Sequence, residues 1–444
     1  MKSQIRDYFK NLRKNYPVDA LAKLSEQAQE LFLSSELYQN AKNIMVYMPI
    51  QNETKTDKII LKALADNKTV LLPVTSKDSG EITAVVYTPD TPMEKGAFSI
   101  DEPKSHQTFD KREIDLVLVP GVSYSVRGGR IGFGKGCYDR FLDGMTATRV
   151  GFCYNFQLSN KIRPESHDAL MDYIVTDKKI SNCKMCSQNM KANYHTHTYL
   201  CHHASDTPRD YVENAIDNGL EILGFSDHNP CPFSNGFSTT YRIDLEDTEN
   251  YVTRILALKE EFKYQIDILL GYEAEYYPAE FENTIKFIKN YPCDYLIMGQ
   301  HFTKNGYDGD VSGKKDSPEY VLTDYVDQLI EGMNKGVFSY IAHPDMINYR
   351  QDAEVFKREI LRLLKEAKRL SIPVEFNLLG FVEGRHYPYD LFWEIVAENG
   401  NTVIVGCDAH RKDACANPEI YKSAIAKLKE FGIVPIDYLT LKEV

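Results

Sequence analysis

Residues 193–205 read N-Y-H-T-H-T-Y-L-C-H-H-A-S and contain four of the chain's 11 histidines. In an extended segment, residues i and i+2 lie on the same face, so His195 and His197 can bind one ion. Imidazole is a common ligand for divalent transition metals. Further histidines follow in the C-terminal half, and most of them end apolar runs that read as strands. The pattern therefore predicts a metal site rather than a scatter of surface histidines.

Apolar runs recur along the rest of this half, and each ends at or just before a residue that can bind a metal. After an opening strand near Asn193, the runs cover residues 221–226, 266–271, 295–299, 338–342, 372–376 and 402–406. The polar residues that follow them are His228, Glu273, His301, His343, Asn377, and Asp408 with His410. Predicted helices at 206–218, 318–335 and 352–370 lie between the runs. A (β/α) barrel builds its active site at the carboxyl ends of its strands, which this alternation indicates.

Length and composition predict two or three globular domains. The chain has 444 residues, of which 43% are hydrophobic and 26% charged. The net charge of −12 argues against a protein that coats nucleic acid or binds an anionic membrane, and no apolar run has membrane-spanning length. Nine thinly scattered cysteines predict free thiols and a cytoplasmic location, with Cys183 and Cys186 as an inert C-x-x-C pair.

The N-terminal part predicts a separate α/β domain at residues 1–180. Helical residues 3–36, with a second helix beginning near Pro17, precede strands at 43–50, 69–76, 81–88, 116–124, 150–154 and 173–176. Helices are predicted at 55–67 and 138–143. We expect a three-layer α/β/α fold with a largely parallel sheet. The polar, aperiodic residues 181–189 are predicted to be a linker to a second domain at 190–444.

A glycine-rich segment follows one of these strands. Residues 127–142 read R-G-G-R-I-G-F-G-K-G-C-Y-D-R-F-L. Gly129 to Lys135 satisfies G-x4-G-K, but Gly136 stands where a P-loop requires Ser or Thr. A P-loop is therefore not predicted. A glycine-dense loop that carries Arg130 and Lys135 still allows backbone N–H groups to approach phosphate.

Six motifs occur in order in the C-terminal half: H-T-H with His203, S-D-H-N-P, G-Y-E, G-Q-H, A-H-P-D and C-D-A-H. Over nearly all of 190–444 the chain resembles the PHP superfamily, and most closely its bacterial histidinol-phosphatase branch. The resemblance implies a distorted (β/α)7 barrel with three divalent ions, which would be Zn, Mn or Fe. It assigns the first ion to His195, His197, Glu273 and Asp408. Glu273 would bridge to a second ion at His301 and His343, and the third ion would bind to His203, His228 and His410.

The implied reaction is hydrolysis of L-histidinol phosphate to L-histidinol and phosphate, with a metal-activated water as the nucleophile. Glu273, His343 and Asp408 would take part in catalysis. Asp227 would orient a ligand or water, or simply end a strand. Arg242 and Arg385 are candidates for a phosphate clamp, or else are solvated loop arginines. His202 and His386 are expected not to be ligands.

Residues 1–180 resemble 5-formyltetrahydrofolate cyclo-ligase (methenyltetrahydrofolate synthetase), on the glycine-rich segment, Lys2-x3-Arg6, Glu53 and the acidic motif at 165–172. The resemblance implies ATP and Mg²⁺ as cofactors, with Lys135 helping to neutralise the transferring phosphoryl group. Glu53 would lie near the folate, and Asp139 and Asp172 would bind Mg²⁺. Cys137 departs from the usual Tyr of the folate pocket. The nucleotide-binding residues would be Lys2, Arg6, Arg130, Gly132, Gly134, Lys135, Gly136, Tyr138 and Arg140.

The sequence thus predicts a bifunctional cytoplasmic enzyme that converts 5-formyltetrahydrofolate to 5,10-methenyltetrahydrofolate with ATP and hydrolyses histidinol phosphate. Its expected partners are these small molecules, with no nucleic acid and no membrane. The alternative is a C-terminal phosphoesterase for another phosphomonoester, joined to a non-catalytic N-terminal module that binds folate or nucleotide.

Overall fold

The computed structural model describes residues 1–96, 99–104 and 107–444. The chain divides into two compact units, Met1–Gln188 and Asn189–Val444. Among the described residues, no helix combines the length and the apolar character that crossing a membrane requires.

The N-terminal unit is built on a seven-stranded sheet in the order β11-β10-β9-β6-β1-β2-β3. The five strands from β10 to β2 pair in parallel, and β3 and β11 pair antiparallel at the two edges. Two small antiparallel pairs, β4 with β5 and β7 with β8, accompany it. The strands are β1 (Asn43–Met45), β2 (Thr69–Thr75), β3 (Ile82–Tyr87), β4 (Met93–Lys95), β5 (Asp101–Pro103), β6 (Leu116–Val119), β7 (Ser123–Tyr124), β8 (Arg130–Ile131), β9 (Thr148–Phe152), β10 (Tyr173–Val175) and β11 (Ile180–Asn182).

Helices of this unit bury one apolar stripe against the sheet. In the hydrophobic core, Phe32 from the second helix and Ile59 from the fourth pack with Leu118 of β6 and Phe152 of β9. Such one-sided burial is what an amphipathic helix gains by covering a sheet. The helices are α1 (Lys2–Asn15), α2 (Val18–Leu33), α3 (Glu36–Asn40), α4 (Asp57–Ala65), α5 (Cys137–Leu142) and α6 (Cys183–Cys186).

The segment predicted as a linker at 181–189 is largely part of the N-terminal unit. Its first residues belong to β11, which pairs antiparallel with β10. Asn182 then begins the short helix α6, because its side chain accepts a hydrogen bond from the backbone N–H of Met185. Only two residues of the segment, Ser181 and Asn182, belong to the strand, and one Asn caps the helix. Signals this short cannot be recognised in a polar sequence.

The C-terminal unit is a barrel of seven parallel strands in sequential order. Each strand pairs with the next in parallel. The circle is completed just beyond the first and last strands, where the backbone N–H of His197 donates to the carbonyl of Ala409 and that of Ala409 to the carbonyl of His195. The strands are β12 (Ala192–Asn193), β13 (Ile222–Phe225), β14 (Asp267–Ala274), β15 (Tyr295–Met298), β16 (Phe338–Ile341), β17 (Val374–Asn377) and β18 (Val403–Gly406).

Helices connect these strands, as parallel pairing requires. One of the predicted helices precedes β13 and begins after Thr207. The Thr207 side chain caps this helix by accepting a hydrogen bond from the backbone N–H of Asp210. The helices of this unit are α7 (Pro208–Asp217), α8 (Thr248–Glu261), α9 (Phe281–Ile288), α10 (Glu319–Met333), α11 (Ala353–Arg369), α12 (Leu378–Glu383), α13 (Asp390–Asn399) and α14 (Pro418–Glu430). The expected (β/α)7 barrel and the α/β domain with a largely parallel sheet are therefore confirmed.

Candidate functional site

Glu273, on β14, lies at the centre of a cluster of histidines at the carboxyl ends of the barrel strands. Its Oε1 is 2.8 Å from His343 Nε2 and 3.6 Å from His301 Nε2. Its Oε2 is 3.3 Å from His197 Nε2 and 3.2 Å from His228 Nδ1. One buried carboxylate thus faces nitrogens that separate strands deliver, which is the arrangement of a bridging ligand.

Asp408, just beyond β18, approaches the same cluster from the opposite side of the barrel. Its Oδ1 is 3.4 Å from His195 Nε2 and 3.2 Å from His197 Nε2. The side-chain amide of Asn377 donates to Asp408 Oδ2 at 3.1 Å. Asn377, which the strand pattern offered as a possible ligand, here orients a carboxylate.

Three further histidines, His203, His228 and His410, form a second group beside His197. The ring of His203 is 5.3 Å from that of His228 and 4.6 Å from that of His410. The ring of His197 is 4.3 Å from that of His410 and 4.7 Å from that of His228. The structure thus brings together all nine residues that the sequence proposed for the three ions.

The donor atoms of this cluster fit divalent metal ions. Four groups of three potential ligand atoms each lie within 4.8 Å of one another, drawn from His195, His197, Cys201, His228, Glu273, His343, Asp408 and His410. Several histidine nitrogens are buried and lack a hydrogen-bond partner within the described part of the chain, including Nε2 of His195, His197 and His410. Buried polar atoms normally have partners, so these bare nitrogens indicate a bound cation.

The pKa shifts of most of the cluster also suit metal binding. Burial lowers the pKa of His228, His301 and His203, and that of His410 to about 3. Burial raises the pKa of Glu273 and Asp408, but the surrounding histidines lower each pKa further, so both end well below their usual values. Neutral imidazoles and ionised carboxylates are the forms in which these groups bind metal. His195 and His197 are the exceptions: burial lowers the pKa of each, but the neighbouring carboxylates raise it well above its usual value, so each ring would release a proton on binding a metal.

Two buried glutamates that the sequence analysis did not single out hold the histidines in place. Glu375 Oε1 is 2.8 Å from His195 Nδ1, and its Oε2 accepts from the backbone N–H of His343 at 3.0 Å. Glu275 Oε1 is 3.2 Å from His301 Nδ1 and accepts from the backbone N–H of His301 at 2.8 Å. The signal was available, because each is an acidic residue within or next to an apolar strand, where a buried charge requires a partner.

Arg242, proposed for the phosphate clamp, is buried beside the cluster. Its guanidinium forms an ion pair with Glu275 and donates to Asn229 Oδ1 at 2.9 Å. The charge of Arg242 is therefore already balanced inside the protein. The placement supports a role in positioning His301 through Glu275.

A cavity of about 740 Å³ opens over the metal cluster. Arg385 lines it, next to Glu383 and Tyr387, and donates from Nη1 to the Tyr387 hydroxyl at 3.0 Å. Lys314 lines the same cavity. The placement of Arg385 supports its proposed contact with phosphate, and Lys314 is a cation that the sequence analysis missed.

Asp227 lies under the cluster and does not reach the cavity. Its two oxygens accept from the backbone N–H and the hydroxyl of Thr198 at 2.5 and 2.6 Å. Burial raises the pKa of Asp227 to about 6. Asp227 thus fixes Thr198, and its proposed role of orienting a ligand or water stays a prediction.

His202 and His386, predicted not to be ligands, differ in position. His202 points outward, where its Nε2 is 3.3 Å from Asp244 Oδ2. His386 lines the cavity, with Nε2 2.6 Å from the carbonyl of Met346. A 3-10 turn ends at Cys201, and His202, with φ +64°, leaves it in the left-handed region.

The N-terminal unit contains a second cavity, also of about 740 Å³. All nine residues proposed for nucleotide binding line it, and Glu53 and Asp139 do so too. Gly134 and Gly136 have φ +101° and +63°, values that favour glycine and let the loop turn its backbone toward the cavity. The cavity therefore presents a glycine-lined, cationic wall.

Polar contacts fix the cationic side chains around this loop. Arg6 Nε donates to the carbonyl of Gly132 at 2.8 Å, and Arg130 Nη2 donates to Asp139 Oδ1 at 2.7 Å. Lys2 Nζ is 2.6 Å from Asp168 Oδ2. Helix α1 thus presents Lys2 and Arg6 on one face, as the i, i+4 spacing predicts.

The proposed Mg²⁺ pair of Asp139 and Asp172 is not brought together. Asp172 lies outside the cavity, and its Oδ2 accepts from the backbone N–H of Arg149 at 2.8 Å. The acidic motif contributes Asp168 to the cavity wall instead. Asp172 immediately precedes β10, and its side chain serves the start of β9, a tertiary role that motif matching does not reveal.

Glu53 is a buried carboxyl at the inner end of this cavity. Its Oε2 accepts from the backbone N–H of Ile50 at 3.0 Å, while Oε1 has no hydrogen-bond partner among the described residues. Burial raises its pKa from 4.5 to about 7. Because of this raised pKa, the Glu53 carboxyl is partly protonated near neutral pH, and its unpaired oxygen can form a hydrogen bond with a ligand.

Glu53→Gln is expected to flatten the pH dependence of this unit's stability. Because the folded-state pKa of about 7 exceeds the ordinary 4.5, the folded chain retains a proton that the unfolded chain releases, and stability falls as pH rises through this window. The loss is roughly 3 kcal/mol in the wild type and absent in the variant. Hydrogen exchange of the β1 and β6 amides in the full chain, corrected for intrinsic rates, measures it. Exposed Glu113→Gln is the control, and equal slopes for Glu53→Gln and wild type would contradict the expectation.

The fold and the two sites define a fusion of a metal-binding barrel enzyme with an α/β enzyme that has a cationic, glycine-lined cavity. The 5-formyltetrahydrofolate cyclo-ligase family model matches residues 1–177, and the PHP domain model matches residues 193–378. The chain belongs to these two families, one in each unit.

Individual proteins are similar to one unit or the other. A probable histidinol-phosphatase of Deinococcus radiodurans is 30% identical over 232 residues, which cover 49% of this chain and 85% of the relative. A probable 5-formyltetrahydrofolate cyclo-ligase of Caenorhabditis elegans is 32% identical over 148 residues, which cover 32% of this chain and 72% of the relative. A solved histidinol phosphate phosphatase of Lactococcus lactis, complexed with zinc, L-histidinol and phosphate, is 20% identical with a TM-score of 0.45 and covers 56% of this chain and 99% of its own.

Proposed function

We propose that the C-terminal unit hydrolyses L-histidinol phosphate to L-histidinol and phosphate. The observation that carries this proposal is the convergence of seven histidines and two acidic residues at the floor of a cavity that Arg385 and Lys314 also line. The name of the Deinococcus relative supports the substrate.

His195, His197, Glu273 and Asp408 would hold one divalent ion, His301 and His343 with Glu273 a second, and His203, His228 and His410 a third. When bound, such ions supply Lewis acidity for activating water and binding phosphate oxygens. Glu273 and Asp408 offset the positive charge, and Glu275 and Glu375 fix the histidine rings. Arg385, held by the Tyr387 hydroxyl, would bind the phosphate together with Lys314.

Phosphate release by the full chain tests this proposal. Histidinol phosphate should have the highest kcat/KM in a panel that includes sugar phosphates, nucleotides and aryl phosphates. Glu383 lines the cavity but is not a proposed metal ligand, so Glu383→Gln should leave the metal content unchanged. A markedly higher kcat/KM for another ester would favour the alternative of a phosphoesterase with a different substrate.

For the N-terminal unit, we propose ATP-dependent conversion of 5-formyltetrahydrofolate to 5,10-methenyltetrahydrofolate. The carrying observation is the cavity that combines a cationic glycine-rich loop with the buried Glu53. Lys135, Arg130 and Arg140 would surround the triphosphate and neutralise the transferring phosphoryl group. Mg²⁺ would bind near Asp139, with Asp168 rather than Asp172 as the second nearby carboxylate.

Turnover of 5-formyltetrahydrofolate with ATP and Mg²⁺ distinguishes this activity from the alternative of a non-catalytic binding module. The absorbance of the methenyl product should appear in proportion to phosphate released. Binding of folate and ATP without product would favour the non-catalytic module. Lys135→Met should abolish product formation while the phosphatase activity of the same preparation stays unchanged.

A further inference from the structure

The second ring nitrogen of each histidine in the metal cluster decides which tautomer is present. A neutral imidazole carries one N–H, so a ring that ligates through Nε2 carries its proton on Nδ1 and needs an acceptor there. In this structure, His195 Nδ1 has Glu375 and His301 Nδ1 has Glu275. Main-chain carbonyls serve His203 and His410, with Cys201 O 2.6 Å from His203 Nδ1 and Asp408 O 3.0 Å from His410 Nδ1.

His197 is different from these four. Its Nε2 faces Asp408 and Glu273, so Nδ1 lies on the far side of the ring. Neither nitrogen of this fully buried residue has a hydrogen-bond partner of ordinary geometry within the described residues. Asp227 Oδ1 is 3.8 Å from Nδ1, beyond hydrogen-bond length, and Thr198 already occupies both oxygens of Asp227.

The sulfur of Cys201 lies close to the His197 ring and can accept a hydrogen bond. Cys201 is fully buried, and its Sγ belongs to a group in which potential ligand atoms of His197, Cys201 and His410 all lie within 4.8 Å. Its thiol donates to the carbonyl of Thr198 at 3.0 Å. That bond directs the S–H proton away and leaves the sulfur lone pairs to accept.

We propose that Cys201 is a positioning residue that holds His197 as the Nδ1–H tautomer through an Nδ1–H···Sγ hydrogen bond, with Nε2 left bare for a metal ion. The inference rests on the metal centre of the proposed function. These contacts form a series of hydrogen bonds. Asp227 fixes Thr198, the Thr198 carbonyl accepts from the Cys201 thiol, and the sulfur would accept from the His197 ring. Cys201 orients two ligands, His197 with its side chain and His203 with its carbonyl.

Zinc affinity and tautomer state test the proposal on the full chain. Cys201→Ala should weaken zinc binding by about 10–100-fold, the range for partners that orient ligands. Cys201→Ser should recover most of the affinity, because a hydroxyl can accept from Nδ1–H and donate to the Thr198 carbonyl. Cys293→Ala is the control, since the Cys293 thiol also donates to a main-chain carbonyl, that of Tyr295, at 3.4 Å, and does not border the cluster.

Nitrogen-15 NMR of histidine-labelled, zinc-loaded wild type reports the tautomer of His197 directly. His197, assigned by its loss in His197→Gln, should show a protonated Nδ1. A protonated Nε2, wild-type zinc affinity in Cys201→Ala, or equal losses in the Ala and Ser variants would overturn the role of Cys201. Failure of the wild type itself to bind zinc would instead overturn the metal centre.

Discussion

Glu273→Gln is expected to reduce phosphatase activity by more than 100-fold, beyond the roughly 10–100-fold that partners of ligands typically cost. Glu273 is 1% exposed, and its two oxygens face nitrogens of His195, His197, His228, His301 and His343. Glutamine preserves the shape but removes the charge and turns one ligand atom into a donor. Two ions would lose their shared ligand at once.

Metal content by mass spectrometry and phosphate release measure this effect. Turnover of 5-formyltetrahydrofolate by the same preparation serves as an internal control. Glu280→Gln is the matched variant, because Glu280 is also a buried glutamate, bonded to Ser234 at 2.8 and 2.9 Å and remote from the cavity. Full metal content in Glu273→Gln would refute the bridging role.

The second prediction compares substitutions at two adjacent histidines, His202 and His203. His203→Asn should lose the third metal ion and most of the activity, since its ring lies beside those of His228 and His410. His202→Asn should change little. The exposed ion pair of His202 with Asp244 is worth at most about 1 kcal/mol.

Asparagine is the substitution of choice at both positions. His202 has φ +64°, a left-handed conformation in which alanine would add backbone strain unrelated to metal binding. Asparagine tolerates this conformation and is too short to replace either imidazole. Metal stoichiometry of the two variants decides the assignment, and loss of metal from His202→Asn with retention in His203→Asn would reverse it.

The barrel and the histidine cluster at its strand ends could be predicted because both leave local signals. Each strand is a short apolar run, and His228, Glu273 and His343 follow their runs at the end where a parallel barrel places its site. The glycine-rich loop was equally visible, since its composition serves a backbone conformation rather than a distant contact.

For the residues that orient the site, the sequence shows that a partner is needed but does not show which residue it is. Glu275, Glu375 and Asp168 act through partners far along the chain, as in the contact between Glu375 and His195. Arg242 shows the converse case: its sequence context suggests a phosphate contact or a solvated loop arginine, and its partner, Glu275, becomes apparent only in three dimensions. Pairings of this kind arise from packing and leave no periodicity in the sequence.

The barrel closes through hydrogen bonds between residues near its two ends, His197 and Ala409. The proposed metal centre therefore cannot be complete before both ends have been synthesised. Ligands from 195 to 410 span nearly the whole C-terminal unit, so a nascent chain on the ribosome lacks Asp408 and His410 until translation has passed them. Long-range closure of this kind is slow compared with local helix formation. The N-terminal unit, whose strands and helices all precede residue 189, can fold earlier. Zinc uptake by ribosome-bound chains of increasing length would therefore begin abruptly, once residue 410 has left the exit tunnel, and would report that the barrel is complete.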